Sequence, residues 1–481
     1  MIKFLILNKK PLVWIIIHAF LGVTATITPY LVIAWFYVVV LTSTPYFLKK
    51  QRSPYILIAL VLYLISFELL SRMARTSPFI PYELGKYLLA SGMIYGIFRT
   101  KTFGKLGWIM LLCMLPSLFI DYSGEVQRSD IVFNVLGPIN VALACIFFNR
   151  QKVTSRQFSN ILRMMIYPII SVLTYTILKT PDFDEVEFIL GANVDLSGGF
   201  GSNQVSTLFG LGALFLFIIL INRWKFSGYL LVDAALLFGF SFQGLLTFSR
   251  GGMLGAVLGI LVILFFIRIA TPYQKRKYNL PNIGKYVLPA LFVGIIAFVA
   301  VDEITGGMLS LRYQGETAGT LQGTKEKNLY SVTTGRLDIF ISDVDLWMDH
   351  LFFGVGAGAS RFLREHLNGT VAHVELSRLL AEHGAFGLVY FLILCWLGIK
   401  LINSNPNPML KGILIAFYLV AIYTSFHAAM RTFVTPALVG LSLLLIKTSK
   451  SENTLSRKQT SKTRLQPYLN RGIRREVERA G

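Results

Sequence analysis

The feature that most constrains this chain is a succession of apolar segments, near residues 11–28, 30–47, 55–71, 83–99, 106–120, 131–148, 160–178, 204–222, 228–248, 253–269, 286–301, 385–401, 411–430 and 432–446. Each approaches the roughly 20 residues a helix needs to cross a bilayer. In hydrocarbon every backbone N–H and C=O must be satisfied within the segment, which leaves a helix bundle as the available architecture. The expected fold is therefore an all-α polytopic membrane protein with about 12–14 transmembrane helices. A composition that is 54% hydrophobic, with a mean hydropathy of +0.60, agrees with this and excludes a soluble domain.

The formal charge of +21 does not indicate nucleic acid. The basic residues punctuate apolar spans and do not line one amphipathic face. They instead set a topology, because Lys and Arg in short loops stay cytoplasmic. With the N-terminus inside, the cytoplasmic loops are Lys49 to Arg52, Arg99 to Lys105, Asn149 to Arg156, Arg223 to Lys225, Arg268 to Lys285 and the tail from Lys447. All are basic. The opposite loops collect the acids, including Asp121, Glu125, Asp130, Asp182, Asp184, Glu185 and Glu187. Both termini are thus expected inside and the long segment 302–384 outside. The start, MIKFLILNKK, has the outline of a signal sequence, but a second apolar span follows without a small-residue cleavage site, so it reads as a retained first helix. The tail 447–481 is basic, without an apolar stripe, and suited to anionic headgroups. Cys113, Cys145 and Cys395 all fall in apolar spans, so neither a disulfide nor a metal framework is expected.

Segment 302–384 breaks the apolar pattern and holds four of the six histidines, which makes it the expected seat of chemistry. Within it, Leu337, Phe340, Ile341, Val344, Trp347 and Leu351 recur at helical spacing, predicting an amphipathic helix capped by Thr334 and stopped at Gly354. Arg336 falls in its first turn, where a cation opposes the helix dipole and calls for a ligand or a salt bridge. A second helix is expected over Ala359 to Leu367, and a third from near Val371. The third carries His373 at its start, placed to stay neutral and accept a proton, then Glu375, Arg378 and Glu382 spaced as a charge ladder. Arg361, Arg364 and Arg378 add to the arginines of this segment, and surface pairing would explain them.

Two outer turns add candidates. TFSRGG (Thr247 to Gly252) puts Arg250 at the membrane edge beside two glycines that would permit close approach of a phosphate headgroup, or else leaves it snorkelling. GGFGSNQ (Gly198 to Gln204) offers Asn203 at a helix entrance. PDFDEVE (Pro181 to Glu187) contains an Asp-x-Asp, but on the outer side it reads as a solvated acidic loop.

The series GGFGSNQ, SRGG, TTGR, HLFFGVGAG and AHVELSRLLAEHGAFGLVYF, in this order and placement, resembles the O-antigen ligase and O-antigen polymerase superfamily of bacterial surface-glycan assembly. Where many relatives have His-Asn, this chain has His373-Val374-Glu375. The resemblance implies a GT-C-like fold divided into N-terminal helices 1–194, an O-antigen ligase-related core 195–401 that includes the loop 302–384, C-terminal helices 402–446 and the tail 447–481. It implies a glycosyltransferase of the bacterial inner membrane that needs no metal or other cofactor. Its partners would be membrane lipid, an undecaprenyl-diphosphate-linked oligosaccharide and a glycan or lipid acceptor with a free hydroxyl. Arg250 and Arg336 would bind the diphosphate, His373 would deprotonate or orient the acceptor, and Asn203, Glu375, Arg378 and Arg361 would complete the substrate site. The alternative is a lipid-linked glycan flippase or other transporter, which should keep ionisable residues at mid-membrane. Glu68, Lys86 and Asp233 are the main candidates for that role.

Overall fold

The computed structural model describes residues 10–48, 54–186, 188–324, 326–328, 333, 335–364, 367, 369, 370, 374–428, 430 and 432–447. His373, Thr334, the expected helix start at Val371, Glu187, the loop Lys49 to Arg52 and the tail beyond Lys447 lie outside the described residues.

The long helices are α1 (Pro11–Ala25), α2 (Tyr30–Leu48), α3 (Tyr55–Ile65), α4 (Leu84–Thr100), α5 (Lys105–Met114), α6 (Arg128–Phe147), α7 (Ser155–Lys179), α8 (Ser202–Ile221), α9 (Leu230–Leu246), α10 (Arg250–Arg268), α11 (Ile283–Ile304), α12 (Arg336–Asp349), α13 (Glu375–Leu401), α14 (Pro408–His427) and α15 (Val434–Ser442). Among the described residues, nine helices are long and apolar enough to cross a bilayer, and three apolar ones are shorter. The fold is the expected all-α membrane bundle. Among the described residues two short strands interrupt it, β1 (Lys152–Thr154) and β2 (Leu445–Lys447), paired in parallel. The span expected over 432–446 is the nine-residue α15 followed by extended chain, which together reach close to the roughly 30 Å of a bilayer core.

The helices alternate between two faces. The basic loops and the β1/β2 pair share one face; the segment 302–384 and the turn before α10 share the other, called the loop face below. Helices α8, α10 and α14 form the centre of the C-terminal half, and small residues set their spacing. A β-carbon at Gly252 would fall inside the backbone of Ser206, and one at Gly210 inside that of Gly252, so α8 and α10 touch backbone to backbone. Helix α11 stands apart, packed mainly on α9, with Leu291 and Val299 more than half exposed.

The loop-face segment is shorter in helix than its sequence suggests. Helix α12 begins at Arg336 with Gly335 as a left-handed N-cap (φ 75°) and ends at Asp349, before Gly354. Its buried face is Ile339 and Asp343, while Phe340 and Ile341 stand exposed: the helix packs by an ion pair as much as by its apolar stripe. The second expected helix is one turn, Ser360–Leu363, and the third begins at Glu375. Gly384 (φ 57°, ψ −133°) then breaks α13. The carbonyls of Ala381 and Glu382, which the break leaves without helical donors, accept from Val355 (2.8 Å) and Gly356 (3.2 Å). Thus GVGAG serves as the splice that holds the kink.

Candidate functional site

Three helix N-termini meet on the loop face. Asn203 is the second residue of α8, Arg250 the first of α10 and Arg336 the first of α12. The Ser249 hydroxyl donates to Asn203 Oδ1 (2.7 Å) and the Ser206 hydroxyl to the Ser249 carbonyl (2.7 Å), locking the turn that presents Arg250. Phe248, left-handed at φ 56°, makes that turn tight. The structure thus brings together Asn203, Arg250 and Arg336 from three separate stretches.

It adds residues that motif reading missed. Arg312 ends the short helix Met308–Tyr313 and is 7% exposed. Its Nη1 donates to the Leu190 carbonyl (3.2 Å) and its Nε to that of Phe248 (3.4 Å), while its own carbonyl accepts from Arg250 Nη1 (3.1 Å). Burial, and then the charges of Arg250 and Arg336, lower its pKa to about 10. Burial also depresses Arg336, with Arg250 acting in the same direction and Tyr423 against it. Tyr313 is raised by burial and held back by Arg250. Arg250 and Arg336 at two helix N-termini, with the buried Arg312 between their charges, make a site whose electrostatics favour an anion. Tyr423 and His427 of α14 complete its wall. No motif marks Arg312 in LSLRYQ; the available signal was a further arginine on the acid-rich face. His427 was legible only as a histidine at the end of a span.

The glycines after Arg250 have another task than the one expected. A β-carbon at Gly251 would fall inside the His427 ring. The pair admits an imidazole on one side and the α8 backbone on the other, so its close approach is to protein and not to a headgroup.

Beside the cluster runs an apolar cavity of about 520 Å³ between α8, α9, α10 and α11, lined by residues such as Leu237, Met253, Leu261, Leu291 and Phe298 and ending at Tyr313. Leu261 and Leu291 are 58% and 54% exposed, so the cavity opens sideways between α10 and α11. Its volume lies in the range of small-molecule sites.

The remaining sequence candidates form a second, internal network. Arg378 pairs with Glu375, approaches Glu382 (3.7 Å) and donates to the side chain and carbonyl of Asn134. Glu375 also accepts from the Met430 backbone (3.2 Å). Arg361 pairs with Asp130 (2.9 Å) and lies over the Phe362 ring. Arg364, 1% exposed, donates to Asp343 (2.7 Å) and to the Thr370 carbonyl (2.6 Å). Burial raises the Asp343 pKa, opposed by Arg364 and the Ser377 hydroxyl. His383 bonds Ser117 (2.6 Å). These contacts fasten both flanks of residues 371–373, at Thr370 and at Glu375. Glu68 pairs with Arg72 and Lys86 with Glu83 (2.6 Å), while Asp233 accepts from the Ser227 backbone (2.9 Å). Lys86 and Asp233 sit in the first turns of α4 and α9, while Glu68 lies within the apolar stretch Tyr55–Met73, where the helix resumes after a two-residue turn.

A search of curated proteins finds no match to this chain. Residues 235–392, about a third of the chain, match the family model described as O-antigen ligase. That stretch is similar to the O-antigen ligase family and contains Arg250, Arg312 and Arg336 together with most of the apolar cavity.

Proposed function

We propose that the protein transfers or polymerises a glycan carried on a polyprenyl diphosphate, placing it on an acceptor hydroxyl at the outer face of the bacterial inner membrane, with both termini cytoplasmic. The observation that carries this reading is the Arg250, Arg312 and Arg336 cluster beside the Tyr313 end of a lateral apolar cavity. A ligand with a dianionic head and a hydrocarbon tail suits both parts at once.

In the reaction, the acceptor oxygen attacks the anomeric carbon as the C–O bond to the diphosphate breaks and the leaving oxygen takes the electron pair. The product diphosphate carries one more negative charge than the donor, and the acceptor proton is released. The guanidiniums stabilise that developing charge, the task a metal ion performs in other phosphate-handling sites, so the transfer is proposed to be metal-independent. His373, following a carbonyl that Arg364 holds, is the proposed base, and Asn203 orients the turn that carries Arg250. The pairing of Glu68 with Arg72 and of Lys86 with Glu83, and the Ser227 backbone contact of Asp233, argue against a transporter that would use these charges as free mid-membrane groups. The test is reconstitution of the purified protein in proteoliposomes with an undecaprenyl-diphosphate oligosaccharide and EDTA. A glycan ladder without added acceptor identifies a polymerase, and a single shift only with acceptor identifies a ligase. No turnover under either condition overturns the reading.

A further inference from the structure

His427 is the last residue of α14, 6% exposed, and takes no part in the proposed transfer. Its ring lies against the first turn of α10 in the space that Gly251 leaves, one residue from Arg250. Nδ1 faces the Tyr423 carbonyl at 3.3 Å and Nε2 faces Thr207 Oγ1 at 3.2 Å. The Thr207 hydroxyl proton is already directed to the Asn203 carbonyl (2.6 Å), so Thr207 Oγ1 can meet Nε2 only as an acceptor. A carbonyl also only accepts. Both contacts therefore call for an N–H, and an imidazole supplies two only when it is protonated. A cavity of about 10 Å³ beside the ring, lined by Thr207, Thr424 and the glycines of α10, is the size of one water.

The titratable groups acting on the imidazole or on Tyr423 beside it are Arg336 of α12 and Arg250 of α10, with Arg312 and Tyr313 of the Met308–Tyr313 helix beyond them in the same cluster. Glu375 and Glu68, which accept from the Met430 and Phe433 backbones just beyond α14, are turned to Arg378 and Arg72. Without an anion, the Arg336 guanidinium opposes a positive charge on the ring; a bound diphosphate reverses that field.

We propose that His427 is a proton-linked residue of the diphosphate site, taking up a proton when a polyprenyl diphosphate occupies the arginine cluster and completing both of its hydrogen bonds in that state. The inference rests on the reading that the cluster binds such a ligand. Because the departing diphosphate gains a negative charge during transfer, the protonated ring favours the leaving group over the donor and acts as a positioning and charge-balancing residue.

The test is titration calorimetry of the full-length protein with farnesyl diphosphate at pH 7.5, in Hepes and in Tris, whose different ionisation enthalpies report protons exchanged. The wild type is expected to take up close to one proton more per ligand than His427→Gln, whose affinity falls several-fold. Equal proton counts in the two proteins would overturn the inference while leaving the binding site standing. Absence of binding by the wild type would overturn both. Should His427→Gln fail to fold or bind, Thr207→Val, which removes the acceptor for the second N–H, is expected to lower proton uptake below wild type; unchanged uptake there also overturns the inference.

Discussion

Arg378 donates from Nη2 to the carbonyl oxygen of Asn134 at 2.7 Å. That carbonyl lacks a helical partner because Pro138, four residues on in α6, has no N–H. An arginine from the loop-face segment thus repairs a proline break in a membrane helix, joining the two halves of the protein.

Removing Arg378 should therefore unfold before it inactivates. Arg378→Ala leaves Glu375 and Glu382 buried without their cation, at a cost of about 3 to 5 kcal/mol. The expected outcome is a large fall in thermal stability in detergent. Arg378→Met combined with Glu375→Gln, which removes both charges, should be the more stable protein. If the single change leaves the melting temperature untouched, the pair is not structural.

Arg312 should behave oppositely, retaining fold and losing turnover. Loss of one charge contact in a dry site commonly costs on the order of 3 kcal/mol, about a hundredfold in rate. That is the expectation for Arg312→Ala in the reconstituted assay, with normal protein level. Arg312→Lys adds a pH signature. The burial and neighbouring charges that lower Arg312 to about 10 act on a side chain that starts near 10.4, bringing the lysine toward neutrality. Its activity should rise as pH falls from 9 to 7, because only the protonated form binds the anion, whereas the wild type should change little over that range.

Gly252→Ala tests the backbone contact between α8 and α10. Its β-carbon would enter the Ser206 backbone, and displacement of a packed helix costs about 1 to 3 kcal/mol. Reduced thermal stability together with impaired turnover is expected, since the same shift moves Arg250. Gly199→Ala, with nothing near its β-carbon, is the control for a substituted glycine, and any loss there should be smaller and confined to the strain of its positive φ.

Gly294→Phe probes the apolar cavity. Gly294 lines it, and nothing lies within 4 Å of where its β-carbon would be, so the ring can enter the cavity without disturbing the bundle. KM for a long-chain polyprenyl donor should rise several-fold, with little change for a short-chain donor. Equal effects on both would separate the cavity from tail binding.

Much of the fold could be read from the chain because period and charge carry it directly: α8, α10 and α14 appear as apolar runs, and their order of faces follows from Lys and Arg alone. Arg250, Arg336 and Asn203 were legible because each interrupts a local rule, a cation at a helix start or an amide at an entrance. Arg312 breaks no such rule in its own neighbourhood. Its importance arises from the Leu190 and Phe248 carbonyls that receive it, more than 60 residues away, and single-sequence periodicity has no access to those. The role of Arg378 was likewise hidden, because the spacing to Glu375 and Glu382 shows a ladder but not the Asn134 carbonyl at its end.

The separation of α11 from α10 has a kinetic consequence. A ligand that enters sideways is drawn from the plane of the bilayer, so the quantity that saturates the site is its mole fraction among lipids and not its concentration in the sample. Diluting the vesicles with buffer should leave the rate per protein constant, and diluting the donor with inert lipid should lower it.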